Sequence, residues 1–324
     1  MLSFCLSVNR KGDKMKQKTQ LKGAVMLLLT ALIWGMAFTA QSMGMESMGA
    51  FTFNAIRMLM GGAVLLPCIL IRDRAVSKKL TPQQKLQKKK EDAKSVKYGV
   101  LLGVIFCVAS NIQQHAFAYT SAGKIAFITA LYIFFVPLLG LFVKKRTPLM
   151  TWLCVLMGFA GLYFLCVDPK DMGEFNKGDL LAIGCAAVFA LHILTIERFT
   201  AKGDGLRLSA MQFLVGGALS GIAMFIFETP KLSGILDAAI PLLYAGIMSC
   251  GVAYTLQIIG QKYTEATVAS LILCMESVFG VLTAAVILGE RLSVREIIGC
   301  VIMFGAIILS QFSQRLSKAN KKTA

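Results

Sequence analysis

A chain of 324 residues is long enough for two ordinary soluble domains, but 56% hydrophobic against 16% charged residues and a mean hydropathy of +0.68 exclude that class. The formal net charge of +17 does not mark a nucleic-acid binder, because the basic residues sit in short loops and tails between apolar runs. The chain reads as a membrane protein whose charge reports orientation.

The first 22 residues hold a short apolar piece, Met1 to Val8, followed by Arg10, Lys11, Lys14, Lys16, Lys18 and Lys22. The charges follow the apolar piece, the reverse of a signal peptide. Met15 is a second candidate start. From there ten spans can be drawn, at about 23–43, 49–71, 98–118, 123–143, 149–167, 179–199, 209–228, 238–259, 265–288 and 293–313. Each is around 20 residues long, which at roughly 1.5 Å per residue matches a bilayer core of about 30 Å.

The second half of the chain repeats the first. A shift of 144 positions lays Tyr263-Thr264-Glu265-Ala266 on Tyr119-Thr120-Ser121-Ala122, Gly289-Glu290 on Lys145-Arg146, and Gly305 on Gly161, without a gap. Spans one and two need a shift of 155 to reach spans six and seven, which lays Gly61-Gly62-Ala63 on Gly216-Gly217-Ala218. The extra residues fall in the Lys- and Gln-rich loop 72–97, which reads as a solvated hairpin or short surface helix.

With the N-terminus in the cytoplasm, 27 Lys/Arg lie inside and six outside, namely Lys124, Lys170, Lys177, Lys231, Arg291 and Arg295. That asymmetry puts both termini inside. Five spans per repeat is an odd number, so the halves must be inverted, an architecture in which two similar halves alternate access to one central site. The expected organisation is a basic cytoplasmic tail at 1–22, a five-helix repeat at 23–167 with the cytoplasmic loop 72–97, an extracytoplasmic linker at 168–178, a second five-helix repeat at 179–313 and a basic tail at 314–324. The expected fold is all-α and polytopic, in the cytoplasmic membrane.

Trp34-Gly35, Arg57, Trp152, Gly161, and Glu276 followed by Gly289-Glu290-Arg291-Leu292 resemble the drug/metabolite transporter superfamily, EamA-type, over about residues 22–313. The resemblance implies ten helices in two inverted five-helix repeats and a central cavity that handles amino acids, metabolites or toxic organic compounds. Two positions depart from it. Ser277 follows the span-nine carboxylate where many relatives have proline, and Tyr132 stands at the Glu276 position of the first half, with Pro137 five residues later.

A charge near the bilayer middle costs several kcal/mol, so it faces a cavity or a partner. Glu276, in span nine, reads either as a contact for a substrate amine and a proton site, or as a structural carboxylate paired with Arg57 or a hydroxyl. Arg57 reads as a structural intramembrane charge, with a carboxylate substrate as the alternative. Span three carries Ser110, Asn111, Gln113, Gln114 and His115, and Gln113 aligns with Gln257 of span eight, one turn beyond Tyr254. These amides and the phenol read as cavity lining or as interhelical hydrogen bonds. Asn111, Tyr132 and Trp34 complete the candidate substrate-binding set, and His192 is a second proton-coupling candidate, against the plainer reading of a packing residue.

The cysteines lack metal-ligand spacing and read as packing residues, so no metal or cofactor is expected. Expected partners are a small organic solute and membrane lipids, with no nucleic acid; a homodimer stays open. The leading expectation is a secondary transporter with the two repeats rocking about a midplane site, driven by protons or by exchange. A non-transporting sensor or scaffold is the first alternative. An intramembrane enzyme comes next, though no HExxH, aspartate pair or GxSxG occurs.

Overall fold

A computed structural model describes the backbone of residues 2–145, 147–166, 175–288 and 293–323, and the side chains of 19–145, 147–166, 175–283 and 293–310. The described chain is helical in its regular structure: α1 (Leu2–Ser47), α2 (Ala50–Ser77), α3 (Pro82–Ala116), α4 (Ala122–Thr129), α5 (Tyr132–Phe142), α6 (Leu149–Cys166), α7 (Lys177–Thr200), α8 (Gly205–Phe227), α9 (Leu232–Asp237) and α10 (Ala239–Leu243). A π-helical segment (Tyr244–Ala253) then leads into α11 (Tyr254–Gln261), α12 (Ala266–Leu273), α13 (Met275–Leu288) and α14 (Val294–Thr323). Among the described residues nine stretches are long and apolar enough to cross a bilayer. They match the first nine expected spans, and α14 runs through the expected tenth. The Gly289-Glu290-Arg291-Leu292 motif and most of the 168–178 linker lie outside the described residues.

Local sequence sets the helix starts. Thr81 accepts from the Gln84 backbone while Gln84 reaches back to Thr81 N, with Pro82 at the first helical position. Asn176 and Asp179 form the same reciprocal cap on α7, and Asp204 caps α8 through Arg207 N. The start of α2 differs, since Gly49 offers no side chain. Its donors go instead to a carboxylate from the other half: Glu228 Oε1 accepts from Phe51 N at 2.9 Å, and Oε2 accepts from Thr52 N at 2.8 Å and Thr52 Oγ1 at 2.7 Å. The 72–97 loop is a helical hairpin, formed by the end of α2, a short turn and the first turns of α3.

Equivalent residues of the two halves meet equivalent surroundings, which is how an approximate two-fold relation shows itself. A Cβ on Gly62 would touch Leu214, and one on Gly217 would touch Leu59; both pairs are interchanged by the 155 shift. Gly23 packs on Tyr263 and Thr264, as Gly178 packs on Tyr119 and Thr120. The pair α2 and α8 runs antiparallel, with Asp73 at the end of α2 bound to Arg207 at the start of α8, and Glu228 at the end of α8 bound to the start of α2. Equivalent helices that run in opposite directions require an axis across the bundle, which is the inverted arrangement. The other self-related pair, α6 and α14, is also antiparallel: Gly161 abuts Met303, and Gly299 abuts Leu165. The glycines let backbones approach where helix association in lipid depends on close packing.

The largest buried apolar cluster draws on both halves, joining Leu27, Trp34, Met58, Phe106, Tyr132, Ile133, Phe213, Tyr254, Leu273 and Met275. Outward-facing residues such as Leu29, Leu66, Leu70, Val104, Leu156, Ile222, Phe225 and Ile308 are apolar and exposed, as lipid contact requires.

Candidate functional site

Spans four and nine are both interrupted. The α4–α5 chain breaks at Ala130-Leu131 and the α12–α13 chain at Cys274, positions that coincide under the 144 shift. Neither break contains Gly or Pro, so the composition of the runs does not announce them. Discontinuous helices near the bilayer middle expose backbone groups that a cavity can use. Directly after the breaks stand Tyr132 and Glu276. These two equivalent residues touch each other: Tyr132 OH donates to Glu276 Oε1 at 3.2 Å, and Cys274 Sγ reaches Ala130 O at 3.8 Å. Residues that meet their own counterparts lie on the two-fold axis.

Around this axis Trp34, Phe38, Gln41, Arg57, Gln113, Thr129, Tyr132, Phe189, His192, Ser249, Tyr254, Gln257 and Glu276 line one cavity of about 40 Å³. That is room for a few waters at most. A metabolite enters only when side chains or helices move. Glu276 is 4% exposed, and Tyr132 is its hydrogen-bond donor. Arg57 is 2% exposed and has neutral partners, its Nε donating to Asn54 Oδ1 at 2.7 Å and Nη2 to Ser110 Oγ at 2.6 Å, with the Phe53 ring 5.6 Å from the guanidinium carbon. No ion pair joins Arg57 and Glu276, so of the two structural roles expected for Glu276 the hydroxyl partner is the one present.

Four polar atoms of the cavity wall are buried without a hydrogen-bond partner: Trp34 Nε1, Gln41 Oε1, His192 Nδ1 and Gln257 Oε1. Unmet polar atoms in a membrane interior are costly, and these four are available to a polar solute or a water in the cavity. The aromatic side is continuous. Trp34 and Tyr254 have ring centroids 4.4 Å apart, Tyr254 lies 4.7 Å from Phe106, and Phe106 lies 5.5 Å from His192. His192 Nε2 bonds Gln212 Oε1 at 2.7 Å. Tyr254 opens α11 just where the π-helical segment ends; such segments shift side-chain register, and here one delivers Ser249 and Tyr254 to the cavity.

Of the residues singled out from sequence, Glu276, Gln113, Gln257, Tyr132, Tyr254, Trp34, His192 and Arg57 all reach this cavity. Gln113 spends its amide on Thr129 Oγ1 at 3.4 Å. Asn111 does not reach it. Its amide bonds Cys107 O at 2.8 Å and Ser220 Oγ at 2.8 Å, while its oxygen accepts from Asn54, tying α2, α3 and α8 together. Sequence reasoning missed Phe38, Gln41, Thr129, Phe189 and Ser249. Gln41 was findable, as an amide within an apolar run; the others carry no signal before the helices are assembled.

The chain matches the EamA-like transporter family twice, over residues 21–167 and 176–312. An uncharacterized transporter from Archaeoglobus fulgidus is 28% identical over 284 residues, covering 87% of this chain and 83% of the relative. An uncharacterized transporter from Clostridium kluyveri is 25% identical over 314 residues, 94% of this chain and 97% of its own. Uncharacterized transporter YoaV from Bacillus subtilis is 21% identical, covering 89% and 96%. A solved crystal structure superposes with a TM-score of 0.68 over 91% of this chain and 98% of its own at 20% identity, a likeness of fold. With both halves matched and the polar cavity between them, the chain belongs to the EamA-like transporter family, within the drug/metabolite transporter superfamily, and is a polytopic membrane transporter.

Proposed function

We propose that the chain is a secondary transporter of an amino acid or a related amine-bearing metabolite, moving it by alternating access to the Tyr132–Glu276 cavity. The observation that carries this is the placement of two opposite charges, Glu276 and Arg57, in the wall of one cavity, each with neutral hydrogen-bond partners and no ion pair between them. A zwitterionic solute supplies both missing counter-ions, its ammonium to Glu276 and its carboxylate toward Arg57. Gln41 Oε1 and Gln257 Oε1 are further acceptors for N–H groups, and the Trp34–Tyr254 pair offers an aromatic face to an organic side chain. One carboxylate serves a proton or an ammonium, not both, and that competition couples solute to proton in opposite directions. On this reading the protein sits in the cytoplasmic membrane with both termini in the cytoplasm, an orientation that the excess of Lys and Arg in the loops on that side supports.

Purified protein in proteoliposomes, offered a panel of labelled amino acids and amines with and without an imposed pH gradient, tests the reading. Gradient-dependent flux is expected for some member of the panel. Glu276→Gln is expected to lose at least ten-fold of the proton-driven flux while staying folded, and His192→Gln to keep its pH coupling. Wild-type coupling in Glu276→Gln, or a panel on which intact protein moves nothing, sinks the proposal.

A further inference from the structure

The contact between α2 and α8 is closed at both ends by equivalent carboxylates. Asp73 and Glu228 are exchanged by the 155 shift, and so are their targets, Arg207 and Thr52. On the face carrying the basic hairpin, Asp73 pairs with Arg207 and with Lys88 Nζ at 3.0 Å; Arg72 holds Asp204 through two bonds of 2.8 and 3.0 Å, and Asp204 caps α8. On the other face Glu228 takes the Phe51 and Thr52 amides and the Thr52 hydroxyl. A Cβ on Gly49 would run into the Glu228 carboxylate, so glycine there is what lets the bond form. Between the ends, Gly62 against Leu214 and Gly217 against Leu59 bring the two backbones together. Apart from Asp73–Lys88 and the Asp204 cap, these contacts cross from one repeat to the other.

Rocking of the two halves as rigid five-helix bodies would pull α2 from α8 at one membrane face and press them together at the other. The end clamps oppose the first and the glycine contacts leave no room for the second. The cavity, by contrast, is walled by α1, α3, the broken α4–α5 and α12–α13 chains, α7, the π segment and α11, and only Arg57 reaches it from the α2–α8 pair.

We propose that α2 and α8 form a fixed post, clamped at both faces by Asp73 and Glu228, and that the access change is made by the other helices moving against it. This rests on the transport reading above, and the test separates the two. Ala55 and a Cβ built on Gly221 lie 4.0 Å apart across the pair, a separation a disulfide spans. In the Ala55→Cys, Gly221→Cys protein, oxidation is expected to cross-link α2 to α8 and leave solute flux within two-fold of the reduced protein. Reversible loss of ten-fold or more on cross-linking overturns the fixed post. If the reduced protein and the wild type both move no solute, it is the transport reading that has failed.

The post is then decided alone by pulsed-EPR distances between spin labels at the lipid-facing Leu66 and Leu219. A single narrow distance is expected with both clamps intact, and a second, longer population when Asp73→Asn and Glu228→Gln are combined. Two populations with the clamps intact, or one unchanged distance without them, overturns the proposal.

Discussion

Gly35→Ala is the sharpest probe of how this fold holds its site. A Cβ at position 35 would lie 2.7 Å from Glu276 O, 2.7 Å from Gly280 N and 3.0 Å from Phe279 C, all backbone of α13. That is about 0.7 Å short of the 3.4 Å at which ordinary contact begins, and backbone cannot rotate aside as a side chain can. The methyl group therefore separates α1 from α13, an overpacking cost of about 1–3 kcal/mol. It also shifts the Glu276 backbone relative to Tyr132, whose bond is already 3.2 Å long. Gly184→Ala is the control, since nothing lies within 4 Å of its Cβ and removing a helical glycine gains about 0.5–1 kcal/mol. Thermal unfolding of purified protein should show Gly35→Ala several degrees below wild type and Gly184→Ala at or above it, with flux lost only in the former. Equal midpoints and equal flux for the two variants refute the reasoning.

Lys124 Nζ pairs with Asp179 at 2.7 Å, and Asp179 is 1% exposed, so Lys124→Met strands a buried carboxylate and should cost about 2–4 kcal/mol. Adding Asp179→Asn removes that charge and should recover part of the loss; a double variant no more stable than Lys124→Met would show that the pair is not coupled. Arg57→Lys cannot reach Asn54 and Ser110 together from one ammonium, and a loss of about 1–3 kcal/mol is expected from the abandoned bonds. An unshifted unfolding midpoint in that variant counts against the network. Trp34→Phe keeps the aromatic face toward Tyr254 but deletes the unpartnered Nε1 donor, so it should weaken solute affinity by ten-fold or less while leaving the unfolding midpoint near wild type; a folding defect instead would mark Trp34 as packing.

Sequence and structure divide the information in a way that follows from their physics. Hydrophobic runs of bilayer length, their basic loops and the 144 and 155 shifts are properties of the linear chain, so the helical class, the repeat and its inversion were legible there. Glu276, Arg57 and the Gln113–Gln257 pair were legible too, because polar groups are rare and expensive inside a membrane. The shift even named Tyr132 as the counterpart of Glu276. That the two touch is a tertiary fact, because only residues on the two-fold axis meet their own images. The breaks at Ala130-Leu131 and Cys274 contain no helix breaker, and the π segment before Tyr254 has no sequence signature; packing decided them. Asn111 shows a choice that the sequence leaves open. From the sequence it is one more amide beside Gln113, but helix phase turns it toward Asn54 and Ser220, where it binds helices together and leaves the cavity to its neighbours. The sequence by itself therefore determined what kind of molecule this is and which residues are costly. Which of those residues share one cavity was decided only by the tertiary structure, since helix phase and the crossing of two inverted halves are set by contacts between residues more than a hundred positions apart.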